Sequence, residues 1–122
     1  MGHKYQLETP VRMQLLWLIR DYERMTLQYN NMLDSSPVTL TGVPVGNSIS
    51  KPTENKAIKR AEYSKKIDAI DDALELVPEE YREGIWNNIL YRTPYPYTAG
   101  EATYRRWKAR FLYQVAKNLY MI

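Results

Sequence analysis

Residues 103–112 read TYRRWKARFL, and they lie inside Thr98–Leu119, which we predict to be the last helix of the chain. From Tyr91 to Ile122 the sequence has six basic residues and one acidic residue, a local net charge of +5 in a chain whose total is +3. The rest of the chain is therefore net acidic. Positive charge concentrated in one segment favours a polyanion as the partner, and DNA is the first to consider.

A helical wheel divides this last helix into two sides. The apolar side consists of Tyr104, Trp107, Phe111, Leu112, Val115 and Leu119. The other side has the groups that contact phosphates and read base edges: Thr103, Arg106, Arg110, Tyr113, Gln114 and Lys117. Arg105 lies at the edge of this side, and Lys108 falls among the apolar residues, where its stem covers a neighbour. We predict that these eight polar residues bind double-stranded DNA, with Arg106 and Arg110 as the main contacts.

The N-terminal part of the chain has a heptad pattern. Apolar residues recur at spacings of four and three: Val11, Leu15, Leu18, Tyr22, Met25, Tyr29 and Met32. With Thr9 and Pro10 as a helix start, the pattern predicts one long helix to about Asp34. Leu16, Trp17 and Ile19 widen the stripe, which predicts burial on more than one side. An intramolecular partner helix is favoured over a dimer seam, although a homodimer remains open.

A second long helix is predicted from Thr53 to Val77, because Tyr63, Ile67, Ile70, Leu74 and Val77 repeat the same spacing and Pro78 ends it. Matching seams predict that residues 9–77 form an antiparallel helical hairpin. Residues 35–52 connect the two helices. They are rich in Pro, Gly, Ser and Thr, and we expect a loop over the core, with a short strand pair as one option.

Residues 78–122 are predicted to form a helix-turn-helix-like pair. Pro78 opens a shorter helix to about Arg92, and the prolines of 93–97 exclude a helix there. Thr98 and Glu101 have the spacing of a capping box, which predicts the start of the last helix. The basic helix is thus the second of a pair, where recognition helices occur. The whole chain is predicted to be one all-α domain, 1–122.

Several function classes find no support in the residues. The chain has no Cys, and its one His is His3 near the N-terminus. No segment approaches the roughly 20 apolar residues of a membrane span. The acidic residues around Asp68–Glu79 are better explained by a solvated helix face than by a metal site. We predict a cytoplasmic protein that is not an enzyme and has no cofactor, metal or small-molecule substrate.

The order of these segments resembles a known family. A long N-terminal helix and a Pro-containing insert precede KPTE at 51–54, ALELVP at 73–78 and TYRRWK…FLYQVA at 103–116. This order is similar to the RinA/ArpU-like transcriptional regulators encoded by phages of Gram-positive bacteria. The resemblance implies a sigma-factor-like C-terminal half, and activation of late or packaging genes. It also implies that Thr103, Arg105, Arg106, Lys108 and Arg110 belong to the recognition helix.

Two functions from different classes follow. The first is a DNA-binding phage transcriptional regulator, with RNA polymerase as a further partner to test. The second is a helical phage assembly or packaging component that acts through the N-terminal heptad seam. DNA affinity and oligomeric size distinguish them, because only the regulator requires the basic face of the last helix.

Overall fold

The computed structural model describes residues 5–34 and 50–122. The elements in these ranges are α1 (Thr9–Arg20), α2 (Tyr22–Asp34), α3 (Ser50–Glu75), α4 (Glu79–Tyr91) and α5 (Glu101–Asn118). The described residues contain no strand, which confirms the predicted all-α class. The predicted loop 35–52 lies mostly outside the described residues, and its last three residues belong to α3 instead.

The prediction of one long N-terminal helix is wrong at Asp21, which separates α1 from α2. Its φ and ψ are −92° and 4°, and its N–H is shared between the carbonyls of Trp17 and Leu18. The Arg24 guanidinium forks onto the Asp21 carboxylate at 2.8 and 2.7 Å. These hydrogen bonds are the main reason that the pKa of Asp21 lies below its ordinary value. Asp is weak in helix interiors because its side chain bonds locally.

α3 has a proline in its first turn, and an arginine of α4 bonds to the carbonyls at the C-terminal end of α3. α3 begins at Ser50, before the predicted Thr53, and tolerates Pro52 because the first turn lacks internal acceptors for its N–H groups. It ends at Glu75, two residues before the predicted Val77. Arg82 donates hydrogen bonds to the carbonyls of Val77 and Glu75 at 2.7 and 3.0 Å. One side chain of α4 therefore satisfies acceptors at the end of α3.

The capping box predicted at Thr98 is wrong. α5 begins at Glu101 with Gly100 as its N-cap, and this N-cap makes no side-chain cap hydrogen bond. The Thr98 hydroxyl instead lies 2.7 Å from the phenol oxygen of Tyr104. The Thr98 hydroxyl, which the local pattern assigned to a helix cap, is therefore used in a tertiary contact. The exclusion of helix from residues 93–97 is confirmed.

A single core cluster draws buried residues from all five described helices: Leu15, Ile19, Met25, Ile70, Ala73, Val77, Ile85, Ile89, Tyr104, Phe111, Leu112, Val115 and Ala116. The predicted burial of Trp17 is wrong, because its side chain is 64% exposed. Heptad spacing identifies the centre of a buried stripe more reliably than its width. The Arg20 guanidinium lies 5.5 Å from the Trp17 ring centroid and covers part of that ring.

Specific contacts fix how the helices lie against one another. Tyr22 donates a hydrogen bond to Asp71 at 2.7 Å, and Arg60 lies over the ring of Tyr29 at 5.1 Å. The start of α2 thus faces the end of α3, and the later part of α2 faces the first half of α3. The two helices are therefore antiparallel. Arg20 donates to the Ile89 carbonyl at 2.8 Å and ties α1 to α4. α5 packs against α1, α3 and α4, which leaves one of its sides toward solvent.

Candidate nucleic-acid interface

The buried side of α5 decides which of its polar residues reach solvent. Tyr104, Phe111, Leu112 and Val115 are buried in the core, as the wheel predicts. Arg105, Arg106, Arg110 and Lys117 are exposed. Thr103, Lys108, Tyr113 and Gln114 are half-buried. The helix therefore presents guanidinium groups outward because its aromatic and aliphatic side chains anchor the opposite side.

An open groove of about 990 Å³ runs between the start of α1 and the first half of α5. Its lining contains five cationic side chains and no carboxylate: Arg12, Arg105, Arg106, Lys108 and Arg110. Thr103 of α5 adds a hydroxyl to the same lining. Cations gathered along one concave surface add their potentials, and they attract anions over a distance of about one Debye length. We call this concave surface the basic groove, because all of its charged lining residues are cationic.

Arg12 is the member of the basic groove that sequence reasoning missed. It lies in α1, more than 90 residues before the arginines of α5, and it is exposed. Its charge and that of Arg20 both act on Lys108, which places all three in one electrostatic neighbourhood. The sequence carries no signal for this juxtaposition, because it depends on how α1 packs against α5.

Lys108 differs from its arginine neighbours. Its ammonium donates a hydrogen bond to the side-chain oxygen of Asn88 in α4 at 2.8 Å. Burial, followed by repulsion from Arg12 and Arg20, lowers its pKa. The stem of Lys108 was expected to cover a neighbouring residue. In the structure its ammonium links α5 to Asn88 of α4. Lys108 contributes charge to the basic groove while its position is fixed by the fold.

Arg105 and Arg110 have different partners. Arg105 forms a salt bridge with Glu101 at 2.6 Å, one turn earlier, and both side chains are mostly exposed. Solvent screens such a pair, so Arg105 can readily exchange Glu101 for another anion. The Arg110 guanidinium lies over two rings, 4.8 Å from that of Tyr5 and 5.0 Å from that of Trp107. Tyr5 precedes α1, so a residue from before the first helix contacts the outward side of α5.

The rest of the predicted face belongs to a different surface. Gln114 and Lys117 line a second recess of about 460 Å³, and that recess also contains Asp68 and Asp72 of α3. Gln114 donates a hydrogen bond to Asn118 at 2.9 Å. Tyr113 lies between the two surfaces with its ring edge-on to Tyr5. The structure thus brings Thr103, Arg105, Arg106, Lys108 and Arg110 together and separates them from Gln114 and Lys117.

The pair formed by α4 and α5 differs from a standard helix-turn-helix in its connection. Residues 92–100 join the helices, whereas the standard turn has three or four residues. The connection touches α5 through Tyr95 and α4 through Pro96, while most of its other residues are exposed. Tyr95 stacks on Tyr104 at 5.1 Å, and Tyr81 meets the same ring edge-on at 5.2 Å. These contacts hold α5 at a fixed position against α4.

Two kinds of feature are absent from residues 5–34 and 50–122: a metal-binding cluster and a membrane-spanning helix. No group of three or more His, Cys, Asp or Glu side chains there is arranged to hold a metal ion. None of the helices in those ranges is both long and apolar enough to cross a lipid bilayer. Comparison of the chain with protein-family models, with curated proteins and with solved structures found no match.

Proposed function

We propose that this protein is a non-enzymatic, DNA-binding transcriptional regulator of a phage, and that the basic groove and the adjoining outward side of α5 contact double-stranded DNA. The observation that supports it best is the five cationic side chains without a carboxylate in the groove lining. Surface helices often carry one or two basic residues. Cations converging from two separate helices on one surface are a more specific feature of polyanion binding.

The contacts would divide by chemistry. Arg106 and Arg12 have no hydrogen-bonding or carboxylate partner among the described residues, so their forked donors are available to phosphate oxygens. Arg110 offers a third fork, and Arg105 a fourth when it exchanges Glu101 for a phosphate. The Thr103 hydroxyl supplies a neutral donor beside them. Phosphate contacts of this kind position a protein on a duplex, and side chains that enter the major groove then read base edges.

The remainder of the chain would serve as a scaffold in this proposal. α4 and α5 act as a helix-turn-helix-like pair with a long connection, and α2 and α3 form the antiparallel support behind them. From the resemblance to RinA/ArpU-like regulators we also propose activation of late or packaging genes and contact with RNA polymerase. Lys117 and Gln114 have a smaller role, because Asp68 and Asp72 in the second recess offset the positive charges of Lys65 and Lys117.

The test compares two charge-matched double variants in titrations of duplex DNA at several salt concentrations. Arg106→Ala with Arg110→Ala should lose most of the affinity and reduce the slope of log affinity against log salt by about two. Lys59→Ala with Lys66→Ala removes the same charge from exposed positions of α3 and should leave specific affinity close to that of the wild type. Helical circular dichroism should be unchanged in both. Equal losses in the two variants would refute the assignment of the surface.

An assembly role through the heptad seam remains the second candidate and has weaker support. Leu15 and Met25 of that seam are buried against this chain's own helices. They are therefore unavailable to another copy unless the helices separate. Light scattering distinguishes the two functions: a large ring without DNA affinity would favour assembly, and a monomer or dimer that binds duplex DNA favours regulation.

A further inference from the structure

Arg110 is an exposed arginine whose guanidinium lies over two aromatic rings. Its guanidinium lies 4.8 Å from the ring centroid of Tyr5 and 5.0 Å from that of Trp107. The Tyr5 ring is itself held by Tyr113, whose ring it meets edge-on at 5.3 Å. Tyr113 and Trp107 belong to α5, whereas Tyr5 belongs to the segment before α1. Two parts of the chain that are distant in sequence therefore meet at one cation.

This arrangement leaves the hydrogen-bonding capacity of Arg110 unused. A guanidinium attracts an aromatic ring through its flat face, while its five N–H donors point outward in its own plane. No hydrogen bond or carboxylate engages Arg110 within the described part of the chain. An arginine side chain loses rotamer entropy when it is immobilised. Ring contacts that restrict it in advance reduce that loss when a phosphate binds.

We infer that Tyr5 is a positioning residue for the anion contact of Arg110. Tyr5 and Trp107 together hold the Arg110 guanidinium, so that the N–H donors of Arg110 are restricted in place before a phosphate arrives. The inference rests on the proposed DNA-binding function, and it assigns a role to the N-terminal segment that the function alone does not require. The opposite possibility is a lid that hides Arg110. The exposure of Arg110 with Tyr5 in contact favours positioning over a lid.

The first experiment measures the order of arginine side chains in the full chain without any ligand, by ¹⁵N relaxation of the Nε–H groups. The chain provides two internal standards. Arg24 is fixed by its fork onto Asp21, and Arg106 has no hydrogen-bonding or carboxylate partner among the described residues. Arg110 should resemble Arg24 in the wild type and in Tyr5→Phe, and should approach Arg106 in Tyr5→Ala. An order parameter for Arg110 that Tyr5→Ala does not change would overturn the inference.

The second experiment measures binding of duplex DNA by the same variants. Tyr5→Ala should weaken binding about two- to fivefold, the range expected for one exposed cation–π contact. Tyr5→Phe should bind as the wild type does, because the ring is kept. In an Arg110→Ala background, Tyr5→Ala should have no further effect, which a merely structural role would not produce. Tighter binding by Tyr5→Ala would identify a lid and contradict positioning.

The two experiments separate failure of the inference from failure of the function. If the wild type binds duplex DNA and Arg106→Ala with Arg110→Ala does not, the function stands whatever Tyr5 does. If the wild type fails to bind DNA, the function fails, and the relaxation measurement still decides whether Tyr5 orders Arg110.

Discussion

The hydroxyl oxygen of Thr98 lies 2.7 Å from the phenol oxygen of Tyr104, and this hydrogen bond ties the α4–α5 connection to the core. The Tyr104 side chain is only 1% exposed, so its hydroxyl sits at the boundary between the core and the connection. Because Tyr104 also stacks on Tyr95, one residue fixes both the start of α5 and the path of the chain before it.

Tyr104→Phe should therefore destabilise the fold by about 1 kcal/mol, the usual net contribution of one intramolecular hydrogen bond. The ring and its stacking would remain, so the loss is confined to the contact with Thr98. Urea unfolding followed by circular dichroism measures this change. Tyr97→Phe is the matched control, because Tyr97 is fully exposed and should tolerate the change without loss. Equal stability of the two variants would show that the hydrogen bond contributes nothing.

Gly84 of α4 should be intolerant of any side chain. A Cβ at this position would lie 2.8 Å from Pro96 Cδ and 2.8 Å from Tyr104 Cε1. Both neighbours are fixed, since Pro96 is a ring in the connection and Tyr104 is buried. Gly84→Ala should thus cost about 1–3 kcal/mol through overpacking, even though alanine is the better helix former.

Gly100→Ala is the control for that change. Nothing lies within 4 Å of a Cβ built at Gly100, and its φ of −69° suits any residue. Gly100→Ala should lower the free energy of unfolding by at most about 1 kcal/mol, because Gly100 is the N-cap of α5 and alanine is a poorer N-cap. If Gly84→Ala were no more destabilising than Gly100→Ala, the close approach of α4, the connection and α5 would be refuted.

The local sequence pattern was sufficient to predict that these segments are helical and which side of α5 is buried. A 3.6-residue period follows directly from burying one face of a helix. Trp107, Phe111 and Val115 lie on the side that the wheel predicts. The break at Asp21 was missed because neither Gly nor Pro marks it. The hydrogen bond of Thr98 to Tyr104 could not be foreseen, since a capping box and a tertiary contact compete for the same hydroxyl.

The candidate site shows the same division between local and distant information. The exposure of Arg106 and Arg110 follows from the wheel. The separation of Lys117 from them depends on Asp68 and Asp72, which α3 brings alongside from about 50 residues away. The inclusion of Arg12 likewise depends on the packing of α1. Periodicity assigns a residue to a side of its own helix, but it contains no information about the neighbouring helix.

Tyr22 gives a pH dependence that can be measured. Burial first, and then its hydrogen bond to Asp71, raises the pKa of Tyr22 to about 12. An unfolded tyrosine has a pKa of about 10. The neutral phenol thus stabilises the folded state fully below pH 10, and this contribution is lost as the pH rises toward 12. The stability of the wild type should fall more steeply over this window than that of Tyr22→Phe.

Urea unfolding at a series of alkaline pH values would measure that difference. Asp71→Asn should reduce the steepness partway, because it removes the charge but leaves the burial of Tyr22. Parallel curves for the wild type and Tyr22→Phe would show that folding does not raise the pKa of Tyr22.

Arg12→Ala tests the part of the basic groove that only the structure supplies. If a DNA phosphate is shared between α1 and α5, this variant should weaken duplex binding and reduce the salt slope by about one, the change expected for one lost phosphate contact. Lys59→Ala removes one positive charge from an exposed position of α3, outside the groove lining, and should leave the slope unchanged. An Arg12→Ala slope equal to that of the wild type would restrict the contact surface to α5. Because Arg12 lowers the pKa of Lys108, its removal should also raise that pKa, which an NMR titration of the lysine ammonium can follow without DNA.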